Sequence, residues 1–581
     1  MAQLERLGIV MKKVQWFALV MVMILMVSAC GSSKRDSEIA EQGSPSKETV
    51  TTSSKDDEIW SNNGHSQENG QASVGSVTEE TKAESALTFS FDDYAGESDR
   101  TVTFVTPESR GETYEVIEEE GYLSTWSQPL STFSIDVDTA SYSNVRRYLD
   151  DNMLPPSDAV KIEEMVNYFN YDYEMPKGDL PFSINTEIGP CPWNDESRIA
   201  MIGLQGLEIE REARPKTNLV FLMDVSGSMD SPDKLPLLKE AFDLLTDELG
   251  ENDRVSLVVY AGASGLVLDG ASGDDKSLIM KKIYELDAGG STAGSEGIKL
   301  AYDVALDNFV YNGNNRVIIA TDGDFNVGIT SHRGLEEFIE SKRDEGIFLS
   351  VLGFGTGNTD FQTMETLADK GNGHFAYIDS VKEAEKVLVE ELTGTLYTIA
   401  KDVKIQVEFN PNYIKSYRLV GYENRRLANE DFNNDQVDAG DIGAGHTVTA
   451  LYEIKFFDEG QEIDDLRYQN NEGKVQGFKD ELMFVKLRYK APQSDVSQLI
   501  ERPVNTVKLF DEVSDDFMFA TSVAEFGLLL RQSEYRGTAS FSHIYTSLRD
   551  SGKVFEDEYK FEFLQLVAKA EGLLDNYGYI E

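Results

Sequence analysis

The feature that most limits the fold is an alternation of apolar runs and amphipathic stretches between residues 217 and 395. Strands are predicted at 219–223, 254–260, 266–268, 317–320, 347–352 and 374–378. Helices are predicted between and after them, at about 234–248, 276–286, 295–308, 333–344, 359–369 and 381–391. Strands separated by helices need crossover connections, which build a mostly parallel sheet. Val317-Ile318-Ile319-Ala320 is apolar at every position, as suits a strand covered on both faces. The expectation for 214–397 is a doubly wound α/β domain.

The flanks follow another period. Val403, Ile405, Val407 and Phe409 alternate with polar residues, as do Val448, Ala450, Tyr452 and Ile454, and Met483, Val485, Leu487 and Tyr489. This is the mark of half-buried antiparallel strands. On the N-terminal side, strands are predicted at 132–138, 182–188 and 198–204. Asp138 and Thr139 offer caps for a helix through Leu149, and Ser157 for one reaching Tyr168. Two helices are expected to close the chain, at about 514–532 and 556–574, the first capped by Ser514. Because period-two strands lie on both sides of the α/β block, the block is expected to interrupt one shared β-sandwich. The domain expectation is 89–213 for an N-terminal α+β flank and 398–581 for a β-sandwich-like and helical domain.

Lys12 and Lys13 precede an apolar run from Trp16 to Val27, which ends in Val27-Ser28-Ala29-Cys30-Gly31. A basic start, a short apolar stretch and small residues before a cleavage point describe a signal peptide. The cysteine after small residues resembles the lipobox of bacterial lipoproteins, which implies lipidation at Cys30 and an extracytoplasmic, membrane-anchored location. Residues 31–88 are polar and low in large apolar groups, the composition of a flexible tether. Asp+Glu number 103 against 53 Lys+Arg, a net charge of −50. That surface repels phosphate, so nucleic acid is excluded as a partner. Cys191, between Pro190 and Pro192, reads as a buried, inert thiol.

Asp224-Val225-Ser226-Gly227-Ser228 directly follows the apolar strand at 219–223 and presents three oxygen side chains from one tight loop. Ligands of an open α/β sheet bind beyond the carboxyl ends of its strands. Thr292, in the loop opening a helix, and Asp322, after the strand ending at Ala320, fall in equivalent places. Together Asp224, Ser226, Ser228, Thr292 and Asp322 resemble the metal-ion-dependent adhesion site (MIDAS) of von Willebrand factor type A (VWA) domains. The resemblance implies one divalent cation, usually Mg²⁺ with Mn²⁺ or Ca²⁺ able to replace it, and a protein partner that presents a carboxylate to it. Hard oxygen donors and retained waters suit Mg²⁺. Three outer stretches resemble the YfbK-type VWA lipoproteins: Ser131 to Asp138, Pro190 to Asn194, and Val437-Asp438-Ala439-Gly440 with His446 through Glu453.

Other motifs fail. Gly353-Phe354-Gly355-Thr356-Gly357 meets Asn358 where a dinucleotide loop needs glycine. Lys276-Ser277 follows Asp275, which would repel phosphate, and Ser231-Pro232-Asp233-Lys234 lacks the companion motifs of penicillin-binding enzymes. Ser231 reads instead as a helix cap with Pro232 first in the helix. The acidic loop 431–441 lacks the glycine and closing Glu of a calcium loop and reads as a solvated turn. None of the five histidines, His65, His332, His374, His446 and His543, forms a metal-type pair in sequence. A cation-dependent binding protein, not an enzyme, is the leading expectation; an envelope hydrolase and a metal-stabilised scaffold are the alternatives.

Overall fold

The computed structural model describes residues 111–210, 213–261, 263–290, 294–323, 332–357, 359–457, 480–505 and 513–577. The chain enters through two short strands, β1 (Leu123–Ser124) and β2 (Leu130–Ser134), and two helices, α1 (Ala140–Asp150) and α2 (Ile162–Asn167). A hairpin of β3 (Phe182–Pro190) and β4 (Arg198–Gly206) leads to the α/β block.

The block contains β5 (Thr217–Asp224), α3 (Leu235–Glu248), β6 (Asp253–Tyr260), β7 (Ser264–Ser272), α4 (Lys276–Tyr284), α5 (Gly294–Asp307), β8 (Asn314–Thr321), α6 (His332–Asp344), β9 (Phe348–Phe354), α7 (Phe361–Lys370), β10 (Phe375–Ile378) and α8 (Val381–Glu385). Its sheet has the order β10-β9-β8-β5-β6-β7, parallel except for the edge strand β7. All eight residues of β5 are buried, because its alternate side chains enter two cores. Leu219, Phe221 and Met223 pack with Leu238, Phe242 and Leu245 of α3. Val220 and Leu222 pack with Ile298, Ala301 and Tyr302 of α5 and Leu335 of α6. At Gly297 of α5 a Cβ would lie 2.9 Å from the Tyr260 Cβ, so glycine lets that helix seat closely on the sheet. The helix at 381–391 ends as one π turn, Lys386–Glu390.

After α9 (Leu392–Leu396) come β11 (Thr398–Phe409), β12 (Ile414–Val420), β13 (Ile442–Gly443), β14 (Thr447–Phe456), β15 (Glu481–Lys490) and β16 (Ser497–Asn505). These strands close over the hairpin made before the block. β14 pairs antiparallel with β4, aligning Val448 with Leu204, Ala450 with Ile202 and Tyr452 with Ala200. One sheet is therefore β1-β12-β14-β4-β3, and the second is β13-β11-β15-β16 with β2 paired to β11. Inward residues from both sides of the block share one core, including Phe133, Ile184, Ile202, Ile405, Val407, Tyr452, Val485 and Leu487.

The other face of the first sheet carries helices. Met201, Val420 and Leu451 point into a core with α1, α2, α10 (Asp515–Arg531), α11 (Phe541–Ser551) and α12 (Glu558–Tyr577). Ser514 caps α10 through the Phe517 amide at 3.0 Å. Among the described residues three helices follow residue 513 rather than the two expected; the extra one, α11, is short and keeps only Phe541, Ile544 and Leu548 buried.

Several local expectations are corrected. Thr139 stands at the N-cap of α1 but makes no side-chain cap bond. The Asp138 carboxylate instead accepts the Phe375 amide at 2.8 Å, tying the flank to the block. Residues 157–168 break into a 3₁₀ turn, Ser157–Ala159, and α2. Ser231 does not cap α3; Lys234 holds that position, and the Ser231 hydroxyl donates to Asp233 at 2.5 Å. The acidic loop is not simply solvated, since Arg488 donates to Asp435 at 3.0 Å and Asp441 is buried. Arg146 of α1 joins three parts of the fold. It bonds Asp379 and Glu383 of the block at 2.5 and 2.7 Å, and Glu562 of α12 at 2.9 Å.

Candidate metal site

The carboxyl end of β5 delivers Asp224 to the top of the sheet, between β8 and β6. Asp224 is fully buried and its Oδ1 accepts the Ser226 amide at 2.8 Å. That bond curls the chain, and Ser226 leads a 3₁₀ turn over Gly227–Asp230. The Ser226 and Ser228 hydroxyls come within 2.9 Å of each other, Ser226 buried and Ser228 exposed. Backbone bonds from Gly289 to Val225 (2.8 Å) and from Gly227 to Gly290 (3.1 Å) fasten this loop beside the one that precedes α5. Thr292 of that second loop lies outside the described residues.

Asp322 follows β8 and is 5% exposed. Gly323 turns the chain with φ +88°, and a Cβ there would lie 2.8 Å from the Asp360 amide nitrogen. Behind the carboxylates runs a relay not singled out in the sequence. The Tyr260 hydroxyl donates to Thr321 Oγ1 at 3.1 Å, and Thr321 Oγ1 faces Asp224 Oδ2 at 3.4 Å. Another overlooked residue is Lys234, whose Nζ donates to Asp322 Oδ2 at 2.9 Å.

The donor set is two carboxylates and two hydroxyls, all oxygen, which suits a hard dication. Among the described residues no ammonium or guanidinium pairs with Asp224. Burial, reinforced by nearby Asp322 and opposed by the Ser226 hydrogen bonds, pushes its carboxyl up to about 6. A buried carboxylate without a cation is costly, and a cation placed between these oxygens would relieve it. The residues present therefore fit a divalent metal.

A second carboxylate group sits where the flank meets the block. Oxygens of Asp136, Glu164 and Glu365 lie within 4.8 Å of one another. Their charge is answered internally: Arg425 reaches Asp136 at 2.9 Å and Glu365 at 3.3 Å, and Lys161 pairs with Glu164 at 3.1 Å and also with Glu365. This is a structural ion network rather than a vacant ligand set. His374 and His446, distant in sequence, stack edge to face with centroids 5.3 Å apart, and burial lowers both pKa values. Cys191 is 4% exposed, and burial raises its thiol pKa. Cys30 and His65 lie outside the described residues, as does the side chain of His332.

Family models match three successive stretches of the chain: "von Willebrand factor" over 108–201, "von Willebrand factor type A domain" over 218–390, and "Uncharacterized protein YfbK, C-terminal" over 394–573. The protein YfbK of Escherichia coli (strain K12) is 42% identical over 455 residues, spanning 77% of this chain and 79% of that one. Inter-alpha-trypsin inhibitor heavy chain H3 of Homo sapiens is 24% identical over 262 residues, 41% of this chain and 28% of that one. A solved von Willebrand factor type A protein from Catenulispora acidiphila covers 66% of this chain and 89% of its own, at 17% identity and TM-score 0.38. VWA domains often bind proteins through a divalent metal held at an adhesion site, and mostly serve adhesion or scaffolding rather than catalysis. With its VWA domain set between strands of a single sandwich, the chain belongs to the YfbK family.

Proposed function

We propose that this protein is a lipid-anchored component of the bacterial envelope that binds a protein partner through Mg²⁺ held by Asp224, Ser226, Ser228 and Asp322, with Thr292 as the fifth ligand. The observation that carries this reading is the fully buried Asp224 carboxylate beside two hydroxyls and a second carboxylate, with no cation of its own among the described residues. When bound, the cation supplies a Lewis-acidic position that an incoming carboxylate can occupy. The chain's own residues keep that position usable. The Ser226 amide fixes Asp224, the Tyr260–Thr321 pair supports it from behind, and exposed Ser228 opens the site to solvent. Hydroxyl donors carry no charge, so they leave the cation electrophilic.

The lipid anchor rests on the Cys30 motif, and the tether at 31–88 would hold the folded part away from the membrane. The test is retention of partners from envelope extract on the immobilised protein. Chelator and Asp224→Ala should each abolish retention while the melting transition stays cooperative. Retention that survives both would refute the reading. Mass spectrometry of the membrane fraction should find Cys30 diacylated; a free Cys30 there would refute the anchor.

A further inference from the structure

Lys234 is the residue whose position the metal reading does not explain. It stands at the N-cap of α3, ten residues after Asp224, yet its side chain runs to the far carboxylate, Asp322, rather than out to solvent. The two side chains are 13% and 3% exposed, so the pair is largely shielded from water. The stem is led there by the fold. Gly355 has φ +74°, and a Cβ at that position would collide with Cγ, Cδ and Cε of Lys234. A glycine thus keeps a channel open for this lysine across the loop after β9. The charges are uneven as a result: Asp322 has an ammonium at 2.9 Å, while Asp224 has no cation partner among the described residues.

We infer that Lys234 is the resident counter-ion of the site: its ammonium supplies at Asp322 the charge that a dication would bring, and so limits how tightly the site takes one. The inference rests on the metal reading proposed above and adds its regulation. With Lys234 in place, the two carboxylates present a net charge of −1 to an arriving cation instead of −2. A like charge a few ångströms from a dication, at an effective dielectric near 20, opposes binding by more than an order of magnitude if nothing moves. Swinging the ammonium aside relieves part of this, which leaves an expected penalty of about tenfold in affinity. The same contact keeps Asp322 placed when no metal is bound, so the site does not have to be rebuilt on loading.

The experiment is a calorimetric titration of the chelator-stripped full chain with Mn²⁺, for the wild type, Lys234→Met and Lys234→Arg. Lys234→Met keeps the stem and removes the charge; it should bind Mn²⁺ about tenfold more tightly. Lys234→Arg keeps the charge and should stay within about threefold of the wild type. Lys234→Gln serves as a second neutral variant should the methionine disturb folding. In chelator the neutral variants should melt lower than the wild type, and Mn²⁺ should raise their melting temperature by more. Equal or weaker binding by both neutral variants would overturn the counter-ion role while leaving the metal site standing. Absence of Mn²⁺ uptake by every form, the wild type included, would overturn the metal reading and this inference with it.

Discussion

Replacing Arg146 with methionine should unfold the seam between the three parts of the protein. Arg146 is 4% exposed and donates to Asp379 at 2.8 and 2.5 Å, to Glu383 at 2.7 Å, to Glu562 at 2.9 Å and to the Tyr168 hydroxyl at 3.1 Å. Its partners come from the α/β block, the last helix and the N-terminal flank, and Glu383 is fully buried. Methionine fills part of the volume but leaves the buried carboxylates of Asp379 and Glu383 without the guanidinium that pairs with both. Breaking a buried pair on one side costs about 3–5 kcal/mol. Two carboxylates are stranded here, so the upper half of that range applies, against a total of about 5–15 kcal/mol for a folded domain. Urea unfolding followed by tryptophan fluorescence and far-UV circular dichroism should show the unfolding free energy falling by that amount, and the midpoint by that amount divided by the m-value. Adding Glu383→Gln to Arg146→Met should recover part of the loss, since it removes one stranded charge. A loss below about 1 kcal/mol for Arg146→Met, the size of an exposed pair, would refute the view that this arginine staples the parts together.

Stability should fall as pH rises through the range governed by Asp441. Its burial pushes the carboxyl up to about 8, so the folded state holds a proton that the unfolded state releases near its ordinary value of 3.8. The contribution is complete below the unfolded value and lost as pH climbs through about 8; Asp441→Asn should flatten that slope in melting temperature against pH. Mg²⁺ or Mn²⁺ should raise the melting temperature of the wild type by mass action, and Asp224→Asn should remove the shift; an unchanged shift would place the metal elsewhere. Cys191, buried with its thiol pKa raised, should resist alkylation in the native protein and react promptly in denaturant; fast labelling under native conditions would contradict its burial.

Much of the α/β block could be read from its sequence because β5, β8 and β9 are buried on both faces and carry apolar stretches, Leu219–Met223 and Val317–Ala320 unbroken and 347–352 interrupted at Ser350. The two carboxylates of the proposed site could be placed for the same reason: Asp224 directly follows one such run and Asp322 follows another by one residue, at the carboxyl ends of adjacent parallel strands. The helices closing the chain were harder. α11 was missed although Phe541, Ile544 and Leu548 stand at helical spacing, because it is short and only those three residues are buried. Caps also misled: Asp138 has a partner that the local sequence does not show, the Phe375 amide, and Ser231 turns its hydroxyl to neighbouring Asp233 instead of the helix. Lys234, Tyr260 and Thr321 went unnoticed as site residues because each reaches its carboxylate only across strands that folding brings together. The pairing of β4 with β14 depends on contacts more than 240 residues apart, such as Gln205 with Thr447. Only the matching periods on either side of the block hinted at it.

The central claim is that folding gathers these oxygens around one cation. Crystals soaked in Mn²⁺ and measured for anomalous scattering test it most directly. A single strong peak bounded by the Ser226 and Ser228 hydroxyls and the carboxylates of Asp224 and Asp322 is the expected result. No peak there, or a peak among Asp136, Glu164 and Glu365 instead, would contradict it.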